Sequence, residues 1–173
     1  SQPAIHNHQI AFVYAGDIWI GTHDGSTWRR LTSHPGYESN PVFSPDGKYL
    51  AYLAMERPGF ESDRFRVMLK SWPEGSEKVL AEDWDRSPAS LTWGPDSRML
   101  YAVAADQGQR SVYGIDTTTG IVTRIYHQGT VSGLNVFPGG LIFGLDNLKS
   151  PVEIHRLKFE NRLKAELPFH ILV

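Results

Sequence analysis

Asn40-Pro41-Val42-Phe43-Ser44-Pro45-Asp46-Gly47-Lys48-Tyr49-Leu50-Ala51-Tyr52-Leu53-Ala54 is written a second time in this chain. The second copy is Ala89-Ser90-Leu91-Thr92-Trp93-Gly94-Pro95-Asp96-Ser97-Arg98-Met99-Leu100-Tyr101-Ala102-Val103-Ala104. Each copy is an apolar-ended strand, a Pro-Asp turn, and a second strand in which small and aromatic residues alternate. Self-similarity at roughly 40 to 50 residues is the mark of a repeat architecture. Working outward, four strand-turn-strand units overlay.

The first unit runs Gln9 to Tyr14 and Asp17 to Gly21, then crosses an Asp24-Gly25 turn to Trp28 to Thr32. The second offers Pro41 to Ser44, Tyr49 to Ala54, Phe65 to Lys70 and Lys78 to Ala81. The third offers Ser90 to Trp93, Met99 to Ala104, Ser111 to Ile115 and Val122 to Ile125. The fourth offers Ser132 to Val136, Leu141 to Gly144 and Val152 to Leu157, around Pro138-Gly139-Gly140.

Ala11, Ala51, Ala102 and either Ile142 or Phe143 align, at separations of about 40, 50 and 40 residues, one four-stranded blade apiece. The expected fold is all-β, a partial β-propeller of about four antiparallel blades. It forms a single domain over 1–173, divided near 1–35, 36–86, 87–129 and 130–173. The innermost strand of the first blade is expected before or at Ser1. The tail from Glu160 to Val173 reads as a short helix or a last strand, and Pro168 argues against a long helix.

Bulk properties narrow the function. With 40% hydrophobic and 21% charged residues the composition is globular, and a formal net charge of −2 gives no reason to expect nucleic acid or an anionic membrane. Arg29-Arg30 is a lone basic pair, read as a solvated strand face. The absence of cysteine excludes disulfides, thiolate metal sites and a cysteine nucleophile. No apolar run approaches the roughly 18 residues of a membrane-spanning helix. Aromatic residues at 12%, with 16 Gly and 11 Pro, suit a turn-rich β protein. No cofactor is expected.

The Ser44-Pro45-Asp46-Gly47-Lys48 turn with Tyr49-Leu50-Ala51-Tyr52 resembles the repeat shared by TolB propellers and those of the prolyl oligopeptidase family. Two longer stretches, Ala54 to Arg64 and Glu82-Asp83-Trp84-Asp85-Arg86-Ser87-Pro88, resemble segments of dipeptidyl-peptidase V and its acylaminoacyl-peptidase-like relatives, above all the secreted fungal enzymes. The resemblance runs from about Ile10 to about Leu157.

It implies a propeller that works beside a C-terminal α/β-hydrolase domain, or beside further blades, on peptide substrates. A secreted or extracellular location goes with it; separately, the open edges of an incomplete ring lead to an expectation of self-association. The chain departs from the family pattern in lacking a Gly-x-Ser-x-Gly nucleophile elbow: Gly129-Thr130-Val131-Ser132-Gly133 has its serine one place late. The expected role is therefore a non-catalytic one, gating a serine peptidase. A TolB-like interaction propeller with no enzyme attached is the alternative.

Within that resemblance, the acidic loop Glu56 to Arg64 is the candidate site. An aminopeptidase must hold a cationic substrate N-terminus, and carboxylates do so by charge-assisted hydrogen bonds. Glu56, Glu61 and Asp63, with Arg64 beside them, are the candidate substrate-binding residues; Arg57 and Arg64 also invite ion pairing within the loop. No catalytic or metal residue is assigned. His6, His8, His23 and His34 match no metal-ligand signature and read as scattered surface groups. Thr22 to Trp28 faintly resembles an Asp-box, but reads as an Asp-Gly hairpin with Trp28 packed between blades. A sugar-binding surface would need Trp28, Trp72 and Trp84 to share one pocket, and core packing is the stronger expectation. Asp83, Asp85 and Arg86 read as turn and inter-blade contacts.

Overall fold

Sixteen β-strands and no helix occur among the described residues of the computed structural model, which are 2–57, 63–159 and 171–172. They fall into four successive groups of four. The first sheet is β1 (Ala4–His6), β2 (Gln9–Tyr14), β3 (Asp17–Thr22) and β4 (Trp28–Arg30), and the second is β5 (Glu38–Phe43), β6 (Tyr49–Met55), β7 (Phe65–Ser71) and β8 (Glu77–Leu80). The third is β9 (Pro88–Trp93), β10 (Met99–Asp106), β11 (Gln109–Asp116) and β12 (Val122–Tyr126). The fourth is β13 (Thr130–Phe137), β14 (Gly140–Asn147), β15 (Ser150–Lys158) and β16 (Ile171–Leu172). Neighbours pair antiparallel in chain order, and a single parallel bridge, Arg110 to Thr130, joins the third group to the fourth.

First strands touch first strands from sheet to sheet, β1 to β5, β5 to β9 and β9 to β13. The sheets therefore fan outward from their first strands, a partial β-propeller. Because strands alternate in direction, the connections after β2, β6 and β10 share one rim with the linkers between sheets. The turns after β1, β5, β9 and β13 line the opposite rim.

Turn chemistry explains the repeated motif. Ser44 Oγ donates to Asp46 Oδ1 (2.7 Å) and accepts from Tyr49 N (2.9 Å), while Ser44 N bonds Tyr49 O (2.9 Å). Gly47 sits at φ +69°, the left-handed region where a side chain is strained. In the second copy Gly94 N bonds Met99 O (2.7 Å), and Asp96 Oδ1 accepts from Arg98 N (3.1 Å) and Met99 N (3.3 Å). Asp46 N also bonds Ser97 Oγ (3.0 Å), tying the two turns together across the sheet boundary.

Both faces of the central strands are covered. Leu50, Tyr52 and Ala54 pack on Ala11, Ile18 and Ile20 of the first sheet. Ala51 and Leu53 face Leu91, Trp93, Leu100 and Ala102 of the third. Tyr101, Val103 and Val112 meet Val131, Leu141, Phe143 and Leu157 of the fourth. Each Leu, Ile, Val or Phe among them contributes about 1.5–3 kcal/mol on removal from water. Among the described residues of the two end sheets, Ile5, Tyr14 and Trp28 on the first and Val152 and Ile154 on the fourth are exposed.

Three expectations need correction. The innermost first-blade strand is not before Ser1: Ala4–His6 fills that place, its Ala4 opposite Ala11. Three residues are too few to show alternation. Second, Ala102 is not the counterpart of Ala51. Register pairs Val42 with Ala51 and Thr92 with Tyr101, so Tyr101 is the equivalent residue. Exchanging the small and aromatic places sets Ala51 and Ala102 in one seam, which leaves room there for Leu53, Leu91 and Trp93. Third, Trp28 is not packed between blades. It lies over Gly21, where an added Cβ would fall 1.9 Å from the ring, on the outward side of the first sheet. At the tail, Ile171–Leu172 is a strand pairing with β15; the rest of the stretch from Glu160 lies outside the described residues.

Candidate functional site

The connection between β6 and β7 emerges on the same rim as the linker 81–87, and the two are stitched together. Asp63 closes the base of the loop. Its Oδ2 accepts the backbone N–H groups of Glu56 (2.9 Å) and Arg57 (2.8 Å), and its Oδ1 takes Arg57 Nη2 (3.0 Å). The Arg57 amide, and then its guanidinium, hold this carboxyl below the ordinary aspartate range. Arg64 turns the other way, donating Nη1 to the carbonyl of Trp84 and Nη2 to that of Glu82. Phe65 N bonds Ser87 Oγ (3.0 Å), completing the seam.

Among the carboxylates exposed on this rim are Glu56 and Glu82. The Glu56 side chain is 62% exposed and that of Glu82 is 55% exposed. Both lie beside Arg66, with Arg66 Nη1 at 3.9 Å from Glu56 Oε1 and 4.0 Å from Glu82 Oε1. Arg66 is mostly buried, and its Nε has no hydrogen-bond partner among the described residues. Its attachment to either acid is loose, beyond ordinary hydrogen-bond reach. Arg64 Nη2 also lies 3.6 Å from Glu82 Oε1, so among the described residues Glu82 faces two arginines. Nearby, Ala81, Glu82, Asp83, Trp84, Thr119, Gly120 and Val122 line a shallow depression of about 370 Å³.

Of the four candidates, the structure brings Glu56, Asp63 and Arg64 together at one loop base, and Glu61 lies outside the described residues. Asp63 and Arg64 spend their hydrogen-bonding groups inside the protein. Glu82 is the residue that sequence reasoning did not select for this site. Its proximity to Glu56 through Arg66 depends on two segments meeting across the rim, and no local spacing carries that information.

The linker continues into an ion network around the buried Asp106. Asp106 accepts Arg86 Nη2 (3.0 Å) and Arg124 Nη1 (2.9 Å), and the Arg124 bond is the largest influence holding its carboxyl below the usual range. Arg86 also pairs with Asp85 (2.8 Å), so these residues tie the linker to the third sheet. At the other linker, Glu38 is buried and accepts a hydrogen bond from Thr32 Oγ1, which itself accepts Ile18 N (2.9 Å). Burial pushes the Glu38 carboxyl up.

The tryptophans proposed for sugar stacking have separate partners. Trp28 Nε1 donates to Gly25 O (3.1 Å), Trp72 Nε1 donates to Gln9 Oε1 (2.9 Å), and Trp84 lies 5.0 Å from the Tyr113 ring. Arg30, half of the basic pair, is bound to Asp17 (2.7 Å).

No protein-family model matches the chain. It is 36% identical over 115 residues to a probable dipeptidyl-peptidase 5 of Emericella nidulans, covering 62% of this chain and 15% of that protein. It is 33% identical over 110 residues to dipeptidyl-peptidase 5 of Porphyromonas gingivalis, covering 63% of this chain and 16% of that one. Among solved structures it resembles TolB from Acinetobacter baumannii, with a TM-score of 0.71 at 24% identity over 89% of this chain and 40% of that one. The likeness to TolB concerns the fold. The chain spans about 15% of the length of the curated relatives it matches. It is thus similar in sequence to dipeptidyl-peptidase 5 proteins and in shape to a TolB-like propeller, as expected for a propeller of the prolyl oligopeptidase kind.

Proposed function

We propose that this chain is the propeller segment of a secreted dipeptidyl-peptidase-type serine peptidase, and that it carries out no bond cleavage itself. It acts by exclusion and positioning: stacked sheets limit which peptides reach a catalytic centre on a separate α/β-hydrolase unit. The observation that carries this reading is the run of more than a hundred residues shared with dipeptidyl-peptidase 5 proteins. In support, the residues of the Glu56 to Arg64 loop divide by task. Asp63 and Arg64 hold the loop, while Glu56, joined by Glu82, presents exposed carboxylate to a peptide's N-terminal ammonium. Glu61 belongs to the same loop and to the same proposal.

The test has two arms. The pure chain is incubated with Ala- or Ser-containing dipeptide chromogens, and no turnover is expected; release of chromophore would overturn the non-catalytic role. Binding of a free-amine tripeptide and its N-acetylated form is then followed by NMR. The free amine should bind more tightly, and Glu56→Gln should remove the difference. Equal binding of both forms to the unmutated chain would dispose of ammonium recognition here.

A second reading, a propeller used only for protein contacts, is favoured by one feature, the exposed aromatic side of the first sheet around Tyr14 and Trp28. The mass of the natural gene product separates the two: about 70–80 kDa suits a propeller joined to a hydrolase domain.

A further inference from the structure

The rim opposite the candidate site holds a pair of histidines that sequence spacing does not reveal. His8 lies in the turn between β1 and β2, and His23 opens the turn after β3. Gln9 pairs with Thr22, so the two histidines occupy the next cross-strand step, and His23 N donates to His8 O (2.9 Å). Their backbones are thereby fixed relative to each other. Both side chains are exposed, with ring centroids 5.1 Å apart and planes inclined by 41°.

We propose that His8 and His23 form a bidentate site for a divalent transition cation. The distance is the argument. Imidazole nitrogen binds such metals at about 2.0–2.1 Å, and bond angles between square-planar and tetrahedral then put two ring centroids roughly 4.5–5.2 Å apart. The observed 5.1 Å lies within that span. Among the described residues no group of three or more His, Asp or Glu converges on a common point. Water or an outside ligand therefore fills the remaining positions. Imidazole donors and an incomplete protein shell favour Cu(II) over Ni(II), and Ni(II) over Co(II).

The experiment uses the whole chain titrated with Cu(II) alone, read by calorimetry and by electron paramagnetic resonance. One equivalent should bind with hyperfine structure from two nitrogens. His8→Ala and His23→Ala should each reduce the count to one nitrogen. Loss of a mere outer partner of a metal ligand costs about 10–100-fold in affinity, so each variant should weaken binding by at least about tenfold. His127→Ala, in the linker on the other rim, should change nothing. Urea midpoints of all variants, expected to match the unmutated chain, separate loss of ligand from loss of fold. Unchanged binding in the double His8→Ala, His23→Ala variant, or loss of binding in His127→Ala, would overturn the assignment.

Discussion

Truncating Leu53 to alanine tests whether the sheets are held by the seam between the second and third blades. Leu53 is 1% exposed and packs in a cluster with Leu69, Leu80, Leu91 and Trp93. The substitution removes three carbons. At about 0.8 kcal/mol per buried methylene-sized group the transfer loss is about 2.4 kcal/mol. A cavity contribution adds to this, since two sheets clamped from both sides cannot collapse inward, and the total reaches about 3–4 kcal/mol. For a chain of this length each kcal/mol shifts the melting point by roughly 2–4 °C, so the midpoint should fall by roughly 6–16 °C. Urea unfolding followed by tryptophan fluorescence measures the free energy and a thermal scan the midpoint. Ile154→Ala is the control, because that side chain is 80% exposed on the outward side of the fourth sheet. It should stay within about 0.5 kcal/mol of the unmutated chain. The reasoning is refuted if Leu53→Ala costs less than about 1 kcal/mol, or if Ile154→Ala costs as much.

Two pH dependences follow from the turns and the linker. Asp46 is held at about 2, chiefly by the Ser44 hydroxyl, so the folded state binds its proton less readily than the unfolded state. Its stabilisation is present above the ordinary aspartate value of 3.8 and is lost as pH falls through about 2. Asp46→Asn should therefore flatten the acid limb of a plot of urea midpoint against pH; an unchanged slope between about pH 4 and 2 would contradict the turn geometry. Glu38 has the opposite sign. Burial raises its folded value, so it carries no ionisation penalty below the ordinary 4.5, and stability falls as pH rises from there through the raised value. The midpoint of Glu38→Gln relative to the unmutated chain should climb over that range. A difference that does not vary with pH would show that the carboxyl is not desolvated.

Much of the fold was legible because its determinants are local. Alternation in Tyr49–Met55 and Met99–Asp106 and the Ser44-Pro45-Asp46-Gly47 turn act within a few residues, and their repetition was enough to infer stacked four-stranded sheets. The candidate site was legible only as a loop. Glu56 could be picked out by charge, but nothing near it in sequence indicated that Asp63 would bond the backbone N–H groups of Glu56 and Arg57. Nor did any spacing show that Arg64 would reach across to the carbonyls of residues 82 and 84.

From its sequence alone this protein is committed to strands, turns and a repeating sheet, since backbone preference and side-chain period are properties of short segments. Tertiary packing decided the rest. It chose which alanine of each copy faces which seam, which acids stay exposed, and that the His8 and His23 ring centroids stand 5.1 Å apart. Those outcomes depend on distances between segments far apart in the chain, and such distances exist only once the sheets have stacked.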